Sequence, residues 1–396
     1  MNSENDVILR RVRPYGGEVV DMRLADGVIS AIGDAIDVGG AEAVDGGGAI
    51  ALPALIDAHM HLDKTLWGLP WQGHPAGPSR ADRIAADRGL RRDLQGSIED
   101  RAGGLVCQAV RMGTGALRSH VDVEPELGLR HVEALLAVRE TLAEQVQIQL
   151  VAFPQFGLMT CPGTEDVMAA ALGAGVEVVG GIDPSAIDGD PKGQLDVVFD
   201  LAERFGAMID IHLHETGEEG ARSMEMICER ARALGMRGQV AISHAFCLGS
   251  VDASRQAVLV DGLAEAGVSV ITYAPGASPV PDVKKLKAAG VTLAVGSDGI
   301  RDAWTPYGDA DMLGRAMMLA YRSGYRRDED IELCLDVVIR GGAQVLGLDN
   351  VGLDVGCRAD VLLIEAGTVA EAVVTHPKPR TIIKAGRVVA PLPPGP

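Results

Sequence analysis

Six of the nine histidines in this 396-residue chain stand where an apolar, β-branched run gives out: His59, His61, His120, His212, His214 and His244. In His59-Met60-His61-Leu62-Asp63 the two imidazoles are two residues apart, so on a strand they point the same way and can converge on one ion. Other runs end in His212-Leu213-His214-Glu215, Ser243-His244 and Ser297-Asp298-Gly299. Neutral imidazoles meeting a carboxylate make a site for one borderline divalent ion such as Zn²⁺ or Fe²⁺. With His59, His61, His212 and Asp298 as ligands, a position stays open for water, whose pKa the ion lowers toward neutrality. Glu215, three residues past His212, is the candidate for moving protons between that water and a leaving group. The run ending Gly180-Gly181-Ile182-Asp183 has no lysine to bridge a second ion, so one metal per chain is expected. His74, His131 and His376 fall outside the pattern.

Such residues must be held by a frame that brings many strand ends together. Eight apolar runs, at 50–59, 114–123, 147–155, 176–183, 208–215, 239–246, 268–275 and 292–299, alternate with helical spacing, as in HVEALLAVRETLAEQ and QLDVVFDLAERFG. Strand-helix alternation repeated eight times is the pattern of an α/β fold, a (β/α)₈ TIM-type barrel whose functional face is the carboxyl end of its strands. Residues 6–33 read instead as short strands around Pro14-Tyr15-Gly16-Gly17 and Ala25-Asp26-Gly27, and ADVLLIEA, AEAVVTH and RTIIKAGRVVA repeat the style near the other end. The expected organisation is a barrel over 51–349 and a small β-sandwich domain from 1–50 plus 350–396.

Composition narrows the function classes. Hydrophobic residues are 47% of the chain but aromatics only 3%, which fits a parallel core of Val, Leu, Ile and Ala. A net charge of −19 spread along the sequence argues against nucleic acid or an anionic membrane as partner. Without a leader-like start or an 18-residue apolar window, the expectation is a cytoplasmic protein, taken here as a homo-oligomer. Six scattered cysteines with no Cys-x-x-Cys pair read as reduced thiols. Neither a dinucleotide nor a phosphate loop is present.

PALIDAHMHLDKT, SHVDV, LVAFPQFG, IDIHLHE, SHAF and VGSDG together resemble the amidohydrolase superfamily, and within it the cytosine deaminase branch, over essentially the whole chain. The resemblance implies a mononuclear iron or zinc site of His59, His61, His212 and Asp298. It also implies Glu215 as proton shuttle, His244 beside the hydrolytic water, Gln155 holding the pyrimidine edge by donating and accepting, and Trp304 lining the substrate pocket. The chain departs from that branch in three places: Ser297-Asp298-Gly299 replaces His-Asp-Asp, His214-Glu215 replaces Asp-Glu, and Asp183-Pro184 replaces Pro-His. Loss of a carboxylate at Gly299 is expected to open space and remove charge beside the ring. The expected partner is a small heterocycle, and the expected reaction is hydrolytic deamination of cytosine or a close analogue. The alternative is release of an alkylamine from an aminotriazine or opening of a cyclic amide, since His-Leu-Asp-Lys-Thr, with Lys64, also occurs in triazine-processing relatives. The segment 65–79, with Trp67 and Trp71, is expected to border the pocket and set selectivity.

Overall fold

The computed structural model describes residues 6–73, 77, 80–94, 96–378 and 380–389. Parts of the expected pocket segment (74–76, 78 and 79) and of the small domain (1–5 and 390–396) lie outside the described residues.

Eight parallel strands form the barrel: β1 (Leu55–Met60), β2 (Thr114–Asp122), β3 (Gln147–Phe153), β4 (Val178–Ile182), β5 (Met208–His212), β6 (Val240–Ser243), β7 (Ser269–Thr272) and β8 (Leu293–Val295). Their order is sequential from β1 to β8. The ring closes where Met60 bridges Asp298 and the Asp298 N–H donates to His59 O at 2.8 Å. That approach needs Gly296: a Cβ there would stand 2.5 Å from His59 O. Every second residue of several strands points inward, and here many of those residues are polar and fully buried: Asp57, Arg118, His120 and Asp210 are 0% exposed. The larger apolar core lies outside this polar column, between strands and helices such as Arg130–Thr141 and Pro191–Phe205.

A second sheet draws on both ends of the chain, from Val7–Pro14, Val20–Ala25 and Val28–Gly33 to Val361–Ile364, Thr381–Lys384 and Arg387–Val388. It has its own core of Val7, Leu9, Val12, Met22, Leu24, Ile29, Val361, Leu363 and Ile383. The run 50–59, read from sequence as one strand, divides. Ile50–Pro53 pairs with Val361–Ile364 in this sheet, and the chain changes partners at Ala54, whose N–H donates to Asp360 O while Leu55 N–H donates to Gly113 O. AEAVVTH differs more: Val369–Thr375 is a helix. The Thr368 hydroxyl accepts from Glu371 N–H and the Glu371 carboxylate accepts from Gly367 N–H, a local box that outweighs the β preference of the two valines. All six cysteines are unpaired, and no helix among the described residues is long and apolar enough to cross a membrane.

Candidate metal centre

The strand ends do not simply deliver the side chains; the backbone turns them inward. Asp183, His244 and Asp298 each have positive φ (34°, 73° and 61°), a conformation that non-glycine residues adopt at a cost of about 1–3 kcal/mol. At each, the chain leaves its strand and aims a polar side chain across the barrel mouth.

His61 Nε2 lies 3.4 Å and His59 Nε2 3.6 Å from Asp298 Oδ1, and His212 Nε2 lies 3.5 Å from His61 Nε2. Protonation around His59 follows from its neighbours. Ser243 Oγ donates to Asp210 Oδ1 at 2.6 Å, so it accepts from His59 Nδ1–H at 2.9 Å. Nε2 therefore carries the lone pair, and it is buried, without a hydrogen-bond partner, facing a carboxylate oxygen. A lone pair turned toward an anion inside a protein calls for a cation between them, so the donor set fits a divalent ion. Burial pushes His61 down to about 4, helped by the Lys64 charge and opposed by Asp298. Burial and mutual repulsion push His120, His212 and His244 well below the usual imidazole value, leaving them neutral, as metal donors must be. For Asp298 burial acts upward, but the surrounding histidines His59, His61 and His244 outweigh it and hold the carboxyl well below the ordinary range.

Two other groupings share His59: His120 with Asp210, and His244 with Asp298. Asp210 is already spent, with Oδ2 2.9 Å from the buried Arg118 guanidinium, so a second cation there meets a positive charge. Asp210, Ser243 and Arg118 instead form a relay beneath His59 that fixes its ring, as carboxylate-backed imidazole ligands require. Its signal in the sequence is charge at alternate positions of an apolar strand: Arg118 two before His120, and Asp210 two before His212.

The cluster opens into a cavity of about 1220 Å³ lined by His61, His212, His214, His244 and Asp298 together with Lys64, Gln155, Phe153, Tyr273, Asp302 and Trp304. Among the site residues read from sequence, Gln155, His244 and Trp304 thus share one space with the metal-type donors. His244 has neither ring nitrogen paired, and the Trp304 indole N–H is also without a partner. His244 stacks on His214 with ring centroids 4.2 Å apart, and His214 Nδ1 sits 2.9 Å from Asp183 Oδ2.

Glu215 does not line the cavity. Its Oε1 accepts from Ser185 N–H at 2.7 Å and Ala186 N–H at 2.8 Å, and its Oε2 from Ser223 Oγ at 2.5 Å. These partners make the carboxylate a clamp between the loop after β4 and the helix Gly217–Ala233. Burial raises the Glu215 carboxyl against the pull of Ser223, Ala186 and Ser185.

Gly299 does not open the space expected of it either. A Cβ at Gly299 would lie 2.3 Å from Asp302 Oδ2, so the carboxyl of Asp302 fills the gap, anchored by Trp304 N–H and Thr305 N–H at 2.8 and 2.9 Å. Burial raises that carboxyl to about 7. Sequence reasoning missed Asp302 because a loop of four residues returns it to the same place, which spacing alone does not reveal.

A model described as "Amidohydrolase family" matches residues 79–390. N-isopropylammelide isopropyl amidohydrolase of Pseudomonas sp. (strain ADP) is 30% identical over 352 residues, 87% of each chain. The crystal structure of N-isopropylammelide isopropylaminohydrolase from Burkholderia multivorans ATCC 17616 is 44% identical, with a TM-score of 0.94 over 97% of this chain and 98% of that one. The 5-methylcytosine deaminase from Klebsiella pneumoniae liganded with 5-fluorocytosine is 29% identical, with a TM-score of 0.85 over 97% of both.

Proposed function

The chain belongs to the amidohydrolase family, and from that membership we propose that it hydrolyses the exocyclic carbon–nitrogen bond of an oxo-substituted triazine, releasing an alkylamine. His59, His61, His212 and Asp298 hold one divalent ion, zinc or iron. Such an ion, when bound, supplies the Lewis acidity that makes water nucleophilic near neutral pH. His244, neutral and with both ring nitrogens unpartnered, accepts the proton of the water that adds to the amine-bearing ring carbon. His244 then gives that proton to the departing amine, and His214, held through Nδ1 by Asp183 and stacked on His244, keeps the His244 ring in place. Phe153, Tyr273 and Trp304 supply flat walls for the ring, and Gln155 holds its remote edge.

The observation that carries this reading is the cavity itself: the donor cluster opens into about 1220 Å³, above the range of about 300–1,000 Å³ typical of small-molecule pockets. A ring bearing an alkylamine uses such space better than a bare aminopyrimidine, and the 44% identity to the Burkholderia enzyme supports the same choice. Deamination of a cytosine-type ring is the second reading, favoured by the likeness to the Klebsiella deaminase. Zinc- or iron-loaded protein given N-isopropylammelide and cytosine separates them. Isopropylamine release supports the first reading, ammonia from cytosine alone supports the second, and neither product under any metal loading overturns both.

A further inference from the structure

Lys64 is nearly buried, its side chain 2% exposed, and lies beside the rings of Phe153 and Trp304 at 5.3 and 6.0 Å. Its Nζ is 3.0 Å from Asp122 Oδ1 and 2.7 Å from the side-chain oxygen of Gln155. An ammonium group only donates, so the Gln155 atom at 2.7 Å has to be the oxygen, and the orientation of that amide is fixed by chemistry. The other corner of the amide, the NH₂, is what Gln155 has left for a ligand in the cavity it lines. Any ligand N–H that sought the Gln155 oxygen would sit beside a positive charge that already occupies it.

We propose that Lys64 sets the hydrogen-bond polarity of this subsite: Gln155 acts there as a donor only, and the subsite takes rings whose edge remote from the amine carries acceptors. Resting on the reading of the cavity as a heterocycle site, this names the substrate class more closely. An amino-dioxo-triazine meets the requirement, with carbonyl oxygens flanking its remote nitrogen. A triaminotriazine does not, because the amino groups flanking its remote nitrogen would face donors. Lys64 is a positioning residue, acting through Gln155, and Asp122 holds it in place. A paired contact that a glutamine could otherwise make in either sense is thereby given one sense, which is how a buried polar site rejects near-isosteres.

The test is equilibrium binding by calorimetry of ammelide and melamine, the dioxo and fully amino forms of one ring, to the zinc-loaded full chain carrying His244→Ala so that neither is turned over. With Lys64 present, ammelide should bind about tenfold or more tighter than melamine. Adding Lys64→Met frees the Gln155 amide to rotate, and the preference should collapse through a gain in melamine binding. A merely structural role would weaken both ligands and leave their ratio unchanged. Because Lys64→Met leaves Asp122 buried without its cation, the pair Lys64→Met/Asp122→Asn is measured beside it. An unchanged ratio in a folded variant, or a preference for melamine when Lys64 is intact, overturns the proposal. Absence of amine release by the unmutated enzyme, with the binding preference intact, overturns the proposed reaction and leaves the assignment of Gln155 standing.

Discussion

Beneath and above His59 the same kinds of side chain are treated in opposite ways. Below it, Ser243 joins the ring to Asp210, and Asp210 is paired with Arg118, which also reaches Gln149 Oε1 and Val345 O. Above it, the lone pair of His59 Nε2, both nitrogens of His244 and the N–H of Trp304 have no partner. Buried polar groups without partners cost about 1–3 kcal/mol each. Those that border the cavity mark that side as the place where ligands complete the structure, and the linked groups beneath as the support that holds them in position.

Removing a group from the upper side should therefore cost function while sparing the fold. The largest effect is expected for Asp298→Ala, which removes the only carboxylate among the four donors. Metal content measured on the purified variant should fall from about one per chain to near zero, with loss of activity but an unchanged circular dichroism spectrum. A variant that keeps both its metal and its turnover would break the comparison at its centre. His244→Ala comes next. It should keep the metal and lower kcat by about 10²–10⁴-fold, the usual contribution of a positioned acid or base. Loss of metal instead would make His244 a ligand.

The lower side predicts something milder. Ser243→Ala cuts the link between His59 and Asp210 without touching the cavity, and should weaken metal binding by about 10–100-fold in a chelator competition, with kcat recovered at saturating metal. If affinity is unchanged, the relay orients nothing.

The division between the two sides also explains what could be read in advance. The eight barrel strands and the strand-end histidines follow from local pattern: period two in apolar runs, and imidazoles at their ends. Asp302 filling the space at Gly299 is a matter of loop return, and Glu215 bonding Ser185 and Ala186 depends on where the loop after β4 lies. Neither leaves a periodic trace. The helix Val369–Thr375 was legible in principle, because Thr368-Val369-Ala370-Glu371 carries its cap, but the valines pointed the other way. The Lys64 contact to Gln155 joins residues 91 apart and needed the barrel to close before it could be seen.

Glu215 offers the smallest effect and the sharpest division of the two sides, since three residues from His212 its carboxylate is satisfied as the lower groups are. In Glu215→Gln the new amide oxygen can accept from Ser185 and Ala186 N–H while its NH₂ donates to Ser223 Oγ, so the clamp survives and kcat should stay within about tenfold of the unmutated enzyme. The pH dependence carries the second half of the expectation. Burial raises the folded-state pKa of Glu215 above its unfolded value of about 4.3, so its contribution to stability is full below that pH and is lost as pH rises through the folded pKa. Glutamine does not titrate there, and thermal unfolding of the variant measured from mild acid to neutrality should lack that part of the decline. A loss of kcat beyond about 10²-fold with the metal retained would instead return Glu215 to the reaction as its proton carrier, and would mean that its three hydrogen bonds open when a ring enters.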